Sequence, residues 1–443
     1  MPSQGEPPVI PAMAEPEKEE PQRQWKPGFL LAIIAIALVA IAFTAAFMSL
    51  YGYLEKLIWL ENDFVLSNRW TIPAGVLIFS LLVGLCQKYL HAPNEIHGSF
   101  VESMKEGKAG TEYRTFPGSF LSSIFSLLSG ASIGPEGTIA TMVSQIAIWI
   151  RTKVRIVRDS HDTHLGFDVA ALASAFNGII GNPAFTGVLA TELQIGEKNA
   201  YRFLIWNFVA GLVGYFFYFS LGLTSFAALI TFPPVEELTA VMVACAIALG
   251  LIGCFLTIFT GLSMKVLGRV MEKSFGENAV LRTVAAGAVI AVVCYFLPEL
   301  LFSGEAQIHL IVENPAMFGI GMLLLLAFLK LVLLALSFKG GFLGGPIFPI
   351  LFASTMVGLA LSLAFPGIPV GLFVLGIESA AIAFALGAPL TAILIVSVLS
   401  IPSPYLTALI VTSVATALIF GALLKPVIER RNRKKEDSKP GAV

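Results

Sequence analysis

Residues 132–138 read Ser-Ile-Gly-Pro-Glu-Gly-Thr, and residues 340–349 read Gly-Gly-Phe-Leu-Gly-Gly-Pro-Ile-Phe-Pro. We call these stretches the first and second glycine-proline clusters. Each interrupts an apolar segment with residues that break helices. At membrane depth such a break is tolerated only where its backbone faces protein or a watery cavity. A helix that begins there points N–H groups and its positive dipole end into the cavity, which favours an anion.

The composition of the 443-residue chain indicates a membrane protein. Hydrophobic residues make up 56% of it and charged residues 13%, whereas about 25% of a soluble protein is charged. Apolar runs of membrane-spanning length recur, at residues 28–53, 70–90, 201–230, 238–264, 279–302, 316–338, 350–377 and 379–424. Several exceed one span, so we expect an all-α polytopic membrane protein with about ten or more helices of unequal length.

The two ends of the chain are polar. Residues 1–27 are rich in Pro, Glu and Gln and lack the basic stretch of a cleavable signal, so we predict a disordered cytoplasmic tail. Residues 425–443 are rich in Arg and Lys, which predicts a basic cytoplasmic tail by the positive-inside rule. Residues 28–424 between them form the predicted transmembrane domain. We therefore expect a multi-pass protein of an inner or plasma membrane, with both termini in the cytoplasm.

A faint internal repeat suggests two related halves. Gly-Pro at 134–135 is followed by Gly-Asn-Pro at 181–183, and Gly-Pro at 345–346 is followed by Gly-Ala-Pro at 387–389. Chance similarity between glycine-rich membrane segments is the alternative. A true repeat places a binding site at the interface between the halves, built from discontinuous helices.

Four segments, in order, resemble the CLC family of voltage-gated chloride channels and chloride/proton antiporters. Residues 129–138 resemble the GREGP segment of the family, and residues 175–192 resemble its AAFNAPLAGVLFxxE segment. Residues 330–349 resemble its lysine-bearing helix and GxFxP segment, and residues 385–396 its APLTA segment. The resemblance implies two inverted-topology halves, roughly 28–225 and 238–424, and a homodimer with one pore per subunit and no cofactor.

The resemblance also places the anion-binding groups. Those on the two clusters are Gly134, Gly137, Thr138, Gly345, Ile347 and Phe348.

The sequence departs from the family at three points. Asn94 stands where the family has an anion-binding serine, with Ser99 as a rival, and its amide can still donate. Pro346 lacks an N–H, so Ile347 and Phe348 must supply the amides there, and Ile428 stands where the family has a tyrosine.

Three charged residues in apolar segments are candidates for function. Glu136, a costly group in a membrane, is predicted to compete with the anion for the positive helix ends and so to gate the pore; the alternative is a helix-capping acid. Glu192 lies near the proton-passing glutamate of the antiporters, but the matching position is Leu193 or Gln194, so Glu192 is either a proton-path residue or an interface acid. Lys330 either adds positive field at the pore or pairs with an acid such as Glu378.

The sequence therefore predicts transport of a small inorganic anion, with chloride as the default. Proton-coupled antiport, selectivity for nitrate or fluoride, and a non-transporting membrane scaffold are the alternatives. An enzyme is the least supported class, because no nucleophile or acid–base set converges. The histidines and cysteines show no metal-binding spacing, and the short basic stretches do not indicate a nucleic-acid partner; the expected partners are the anion, the lipid bilayer and a second copy of the chain.

Overall fold

The computed structural model describes residues 27–93, 113–153, 161–193, 200–223 and 230–437. Within these ranges the chain forms helices and no strand, apart from one isolated backbone bridge. The α-helices are α1 (Pro27–Glu55), α2 (Asp63–Ser67), α3 (Thr71–Tyr89), α4 (Phe116–Leu128), α5 (Pro135–Lys153), α6 (His161–Ile180), α7 (Phe185–Glu192), α8 (Ala200–Ser220), α9 (Ala240–Phe275), α10 (Ala279–Phe296), α11 (Glu305–Glu313), α12 (Gly319–Gly340), α13 (Ile347–Ala364), α14 (Val370–Leu386), α15 (Pro389–Ser400) and α16 (Pro404–Asp437).

Eight of the described helices are long and apolar enough to cross a membrane, and three more apolar helices are shorter. The predicted all-α, polytopic architecture with helices of unequal length is confirmed. The long apolar run at 379–424 divides as expected, because Gly387 ends α14 with a φ of 66° and a second break follows Ser400. Glycine adopts this left-handed conformation without the steric cost that a side chain adds.

Helices in the core approach each other closely at small residues. A Cβ atom added to Gly84 of α3 would lie 2.8 Å from the Cα atom of Val280 in α10. One added to Gly253 of α9 would lie 2.7 Å from the backbone nitrogen of Ala381 in α14. Contacts of this kind let backbones pack tightly where lipid supplies no hydrophobic drive for helix association.

Both glycine-proline clusters separate two helices. The first joins α4 to α5, and the second joins α12 to α13. Pro135 opens α5, and Pro346 is the N-cap of α13; both positions suit a residue that lacks an N–H. The sequence repeat thus corresponds to equivalent breaks, and the two helices that follow the later motifs, α7 and α15, also pack against each other.

Lys330 lies at the centre of α12 and is fully buried. Its ammonium group donates hydrogen bonds to the carbonyls of three consecutive residues, at 3.0 Å to Leu300, 3.4 Å to Leu301 and 2.6 Å to Phe302. It also lies 5.0 Å from the centre of the Phe352 ring. Of the two interpretations of Lys330, the structure does not support pairing with an acid such as Glu378, because the ammonium group donates to these three carbonyls.

Lys330→Met should lower the melting temperature of the detergent-solubilised protein. The substitution keeps most of the side-chain volume but leaves buried carbonyls without donors, at about 1–3 kcal/mol for each. Thermal unfolding followed by size-exclusion chromatography measures the effect. Lys265→Met makes the same change on the exposed surface of α9 and is the control; equal melting temperatures for the two variants would contradict the structural role of Lys330.

Candidate functional site

The two glycine-proline clusters meet through their backbones. The N–H of Gly134 donates to the carbonyl of Gly345 at 2.8 Å, and the N–H of Gly345 donates to the carbonyl of Gly134 at 2.7 Å. These reciprocal bonds form the antiparallel bridge between the two breaks. Helices α5 and α13 therefore begin close together. Because the pairing uses the N–H groups of Gly134 and Gly345, these two glycines do not offer them to an anion.

Glu136 lies between the starts of the two helices. It occupies the first turn of α5, and its side chain reaches across to the first turn of α13, where Oε1 accepts a hydrogen bond from the N–H of Ile347 at 2.7 Å. The N–H of Phe348 also interacts with this carboxylate. The side chain is 4% exposed, and Oε2 is buried without a hydrogen-bond partner among the described residues. The carboxylate thus occupies the place that the two positive helix ends prepare for a negative charge.

The glycines of the bridge make room for this carboxylate. A Cβ atom built on Gly134 would lie 2.0 Å from Oε2 of Glu136, and one built on Gly345 would lie 2.2 Å from its carboxyl carbon. No side chain fits at either position while Glu136 keeps its place. Gly134 and Gly345, which were predicted to bind the anion, therefore contribute to the site by leaving room for the Glu136 carboxylate.

The other predicted donors surround the same point. Gly137 and Thr138 lie in the first turn of α5, where N–H groups have no earlier helical carbonyl to bind. The Thr138 hydroxyl is engaged with the carbonyl of Pro135 at 2.6 Å. Ile347 and Phe348 supply the amides at the start of α13, as the missing N–H of Pro346 requires. Asn94 and its rival Ser99 lie outside the described residues.

Glu192 binds the start of a different helix. Its Oε1 accepts from the N–H of Leu390 at 2.6 Å, and its Oε2 accepts from the N–H and the hydroxyl of Thr391 at 2.8 and 2.7 Å. The carboxylate at the end of α7 therefore caps the N-terminus of α15. This geometry favours the interface interpretation of Glu192 over the proton-path one, since both oxygens are held by fixed donors.

Comparison with known proteins identifies the family. Residues 78–421 match the sequence model of the family described as "Voltage gated chloride channel". The chain belongs to the CLC family. It is 24% identical over 366 residues to YfeO of Escherichia coli O7:K1 (strain IAI39 / ExPEC), which is named for ion transport, with 78% of this chain and 81% of YfeO covered. YfeO of Escherichia fergusonii is 23% identical over the same length and coverage.

Solved CLC structures share the fold. A slow cyanobacterial Cl-/H+ antiporter superposes with a TM-score of 0.78 at 15% identity, covering 93% of this chain and 99% of that one. A CLC-type fluoride/proton antiporter gives 0.67 at 18% identity, with 89% and 95% covered. CLC proteins are anion channels or transporters, so the protein moves anions across a membrane and is not an enzyme.

Several polar contacts that hold this CLC site were not predicted from the sequence. The N–H of Leu343 donates to the Ser126 hydroxyl at 3.0 Å, and the N–H of Ser132 donates to the Ser337 hydroxyl at 3.2 Å. The side-chain amide of Gln87 donates to the carbonyl of Gly341. The available signal was the presence of these polar residues inside apolar helices, where each needs a partner.

Gly345→Ala should destabilise the protein through its clash with Glu136. The added methyl group must push the carboxylate away from the α13 start or shift the bridge, and overpacking of this kind costs about 1–3 kcal/mol. Melting temperatures of wild type, Gly345→Ala, Glu136→Ala and the double variant form a cycle. The loss caused by Gly345→Ala should be smaller in the Glu136→Ala background.

The control for this cycle is Gly321→Ala in α12, because a Cβ atom there meets nothing within 4 Å. That substitution should leave the melting temperature unchanged. An equal loss from Gly345→Ala with and without the Glu136 carboxylate would show that the clash lies elsewhere in the bridge.

Proposed function

We propose that this CLC protein conducts a small inorganic anion, chloride by default, through a pore gated by Glu136. The observation that carries the proposal is the 2.7 Å hydrogen bond from the N–H of Ile347 to Oε1 of Glu136. The Glu136 carboxylate belongs to the first turn of α5 and is bound by the first turn of α13. It therefore occupies a position that suits an anion. Two negative charges a few ångströms apart repel strongly in a low-dielectric interior, so the carboxylate and an anion exclude each other there.

The gate opens when this carboxylate leaves. Protonation of Glu136 removes the charge that holds it at the positive helix ends, and an entering anion replaces it. The unpartnered Oε2 lowers the cost of departure, because only Oε1 has a donor among the described side-chain hydrogen bonds. Once the side chain has moved, the N–H groups of Gly137, Thr138, Ile347 and Phe348 become donors for the anion, with Asn94 as the proposed further donor.

Proton-coupled exchange is the second candidate function. Two solved structures with this fold are described as a Cl-/H+ antiporter and a fluoride/proton antiporter. The fixed hydrogen bonds of Glu192 weigh against a proton route through that residue. Anion efflux from potassium-loaded proteoliposomes with valinomycin, which balances the charge, separates the two candidates when it is measured with and without a protonophore. A channel conducts equally in both conditions, whereas an antiporter slows when protons cannot equilibrate. Absence of anion flux would leave a non-transporting scaffold.

The membrane orientation follows from the charged helix ends. Helices α9 and α16 run in the same direction, because Gly250 packs against Ser413 and the N–H of Val235 donates to the hydroxyl of Ser403 near their starts. Both helices become basic toward their ends, from Lys265 in α9 and from Lys425 in α16. From the positive-inside rule we propose that these ends and the C-terminus face the cytoplasm, and that the membrane is the plasma membrane of a bacterium.

Glu136→Gln should keep or increase anion flux and remove its dependence on external pH. Glutamine preserves the shape of the side chain but carries no charge, so it no longer competes for the positive helix ends. Chloride efflux from proteoliposomes at several external pH values measures both effects. Glu192→Gln, which changes the cap of α15 and leaves the Glu136 carboxylate unaltered, should retain the wild-type pH profile.

Two results would overturn the gate assignment. Loss of flux in a folded Glu136→Gln protein would make Glu136 a required ligand or structural cap. A wild-type pH profile in that variant would place the titrating group elsewhere.

We also propose a homodimer, with an interface that uses the apolar surfaces of α8 and α16. Leu212 and Phe216 on α8 and Ile419 on α16 are exposed in the single chain, and two-fold dimers are the commonest homo-oligomers of soluble proteins. Light scattering in mild detergent should give the mass of two chains at micromolar concentration. Phe216→Trp together with Ile419→Trp should raise the monomer fraction, whereas Leu31→Trp on α1 should not; a wild-type monomer would contradict the proposal.

A further inference from the structure

A second acidic site lies beside the anion site, in a cavity that the gate does not use. The cavity has a volume of about 40 Å³, and its floor is buried while its rim is half-buried. The residues that matter to its chemistry are Phe232, Glu305, His309, Phe348, Glu378 and Ser400. Glu378 is the deepest charged group, at 5% exposure, and its Oε1 accepts a hydrogen bond from the Thr355 hydroxyl at 2.6 Å.

Phe348 is shared by the cavity and the anion site. Its backbone N–H interacts with the Glu136 carboxylate, and the same residue lines the cavity. Thr355, which binds Glu378, lies eight residues beyond Ile347 on α13, or about 12 Å along the helix at 1.5 Å per residue. The anion site and the cavity that contains Glu378 therefore share one residue at the start of α13.

The chemistry of the cavity favours a proton over an anion or a metal ion as the species that it binds. Its carboxylates repel anions, and its volume has room for a few water molecules, since one water needs about 10–15 Å³ measured in this way. Among the described residues, no three His, Cys, Asp or Glu side chains lie close enough together to hold a metal ion. Water molecules next to Glu305, His309 and Glu378 can carry protons between titratable groups.

The helices packed against α14 bring few other charges to Glu378. Helices α13 and α15 contain no titratable side chain, and α16 has only Tyr405 before Lys425. The first charge of α9 is Lys265, twelve residues beyond Gly253, which contacts α14. Lys330 is engaged with the carbonyls of residues 300–302. The titratable partners of Glu378 are therefore Glu305 and His309 of α11.

We propose that Glu378 is a proton-binding site that takes protons from the side of the membrane opposite the basic helix ends and passes them to Glu136. A hydronium ion in the cavity gives its proton to a Glu378 oxygen; water then carries the proton past Phe348 to the Glu136 carboxylate, and Glu378 returns to its ionised form. Only O–H bonds break and form. This inference rests on the proposed gate, because Glu136 is the acceptor.

The rim of the cavity supports this direction of entry. The half-buried Phe232 contacts Gly371 at the beginning of α14, and the buried lining residue Ser400 lies a few residues before the start of α16. These positions lie at the helix ends away from Lys265 and Lys425. The positive-inside rule places them on the outer side, so external protons reach Glu378 first.

Glu378→Gln tests the proposal, because the glutamine carbonyl still accepts the Thr355 hydrogen bond. Stopped-flow chloride efflux after acidification of the outer side should respond about a hundredfold more slowly in this variant, the lower end of the usual loss when a positioned acid or base is removed. Glu313→Gln, an exposed acid at the other end of α11, should respond like wild type. In the Glu136→Gln background, Glu378→Gln should have no further effect. A wild-type response in Glu378→Gln overturns the proposal.

A measurement without transport distinguishes failure of this site from failure of the pore. Infrared difference spectra of the purified protein between acidic and neutral buffer should contain a carboxylic-acid band that Glu378→Gln removes and Glu136→Gln retains. Presence of that band together with absence of anion flux would reject the proposed pore but retain the proton site. Absence of the band from wild type would reject the proton site whatever the flux.

Discussion

The reciprocal hydrogen bonds between Gly134 and Gly345 set the geometry on which the site depends. They bring two interrupted helices together at one point, with both N-termini facing it. Each break exposes peptide groups that have no helical partner, and in an apolar protein interior these groups would be costly alone. In the bridge, the N–H and the carbonyl of Gly134 form hydrogen bonds with the carbonyl and the N–H of Gly345. It leaves the next N–H groups of α5 and α13 as a positive pole that a carboxylate or an anion can occupy.

The charged side chains in the apolar segments of this CLC protein differ in how fully they are bound. The ammonium of Lys330 donates to three carbonyls, and the carboxylate of Glu192 accepts three hydrogen bonds. Both are fixed parts of the scaffold. Glu136 has a donor at Oε1 and none among the described residues at Oε2. A charge that is held incompletely can leave its place, which is a requirement for a gate.

The fold class and the centre of the site could be predicted from the sequence because both arise from local signals. Apolar runs of membrane length identify the helices, and the Gly-Pro interruptions identify the breaks and the carboxylate between them. The sequence also indicated that Pro346 leaves Ile347 and Phe348 to supply amides, and in the structure the N–H of Ile347 donates to Glu136. The roles of Gly134 and Gly345 could not be read in this way. A glycine can contribute a free N–H group or simply leave space for a neighbouring group. Which of the two applies depends on the backbone that lies opposite, and that is a long-range contact.

The partners of Lys330 and Glu192 were beyond sequence reasoning for a related reason. An acid was one of two partners considered for Lys330, whereas the structure shows its ammonium group bound to the main-chain carbonyls of residues 300–302. Glu192 binds backbone N–H groups of α15 nearly two hundred residues away. Because almost every residue has a main-chain N–H and carbonyl, the sequence does not reveal which of these groups binds a buried charge. A buried charge in an apolar segment therefore predicts that a partner exists, but not which one.

The contacts that join early and late parts of the chain restrict how this protein can move. Gly134 pairs with Gly345, Ser126 binds Leu343, and Glu192 binds the start of α15. A cycle in which two rigid bodies rock apart would break all of these contacts together, at about 0.5–1.5 kcal/mol net for each hydrogen bond. Rotation of the Glu136 carboxylate breaks only the hydrogen bonds of that side chain. The cross-links thus favour a mechanism in which the scaffold stays closed and the moving part is a single side chain, with intrinsic motions far faster than those of domains.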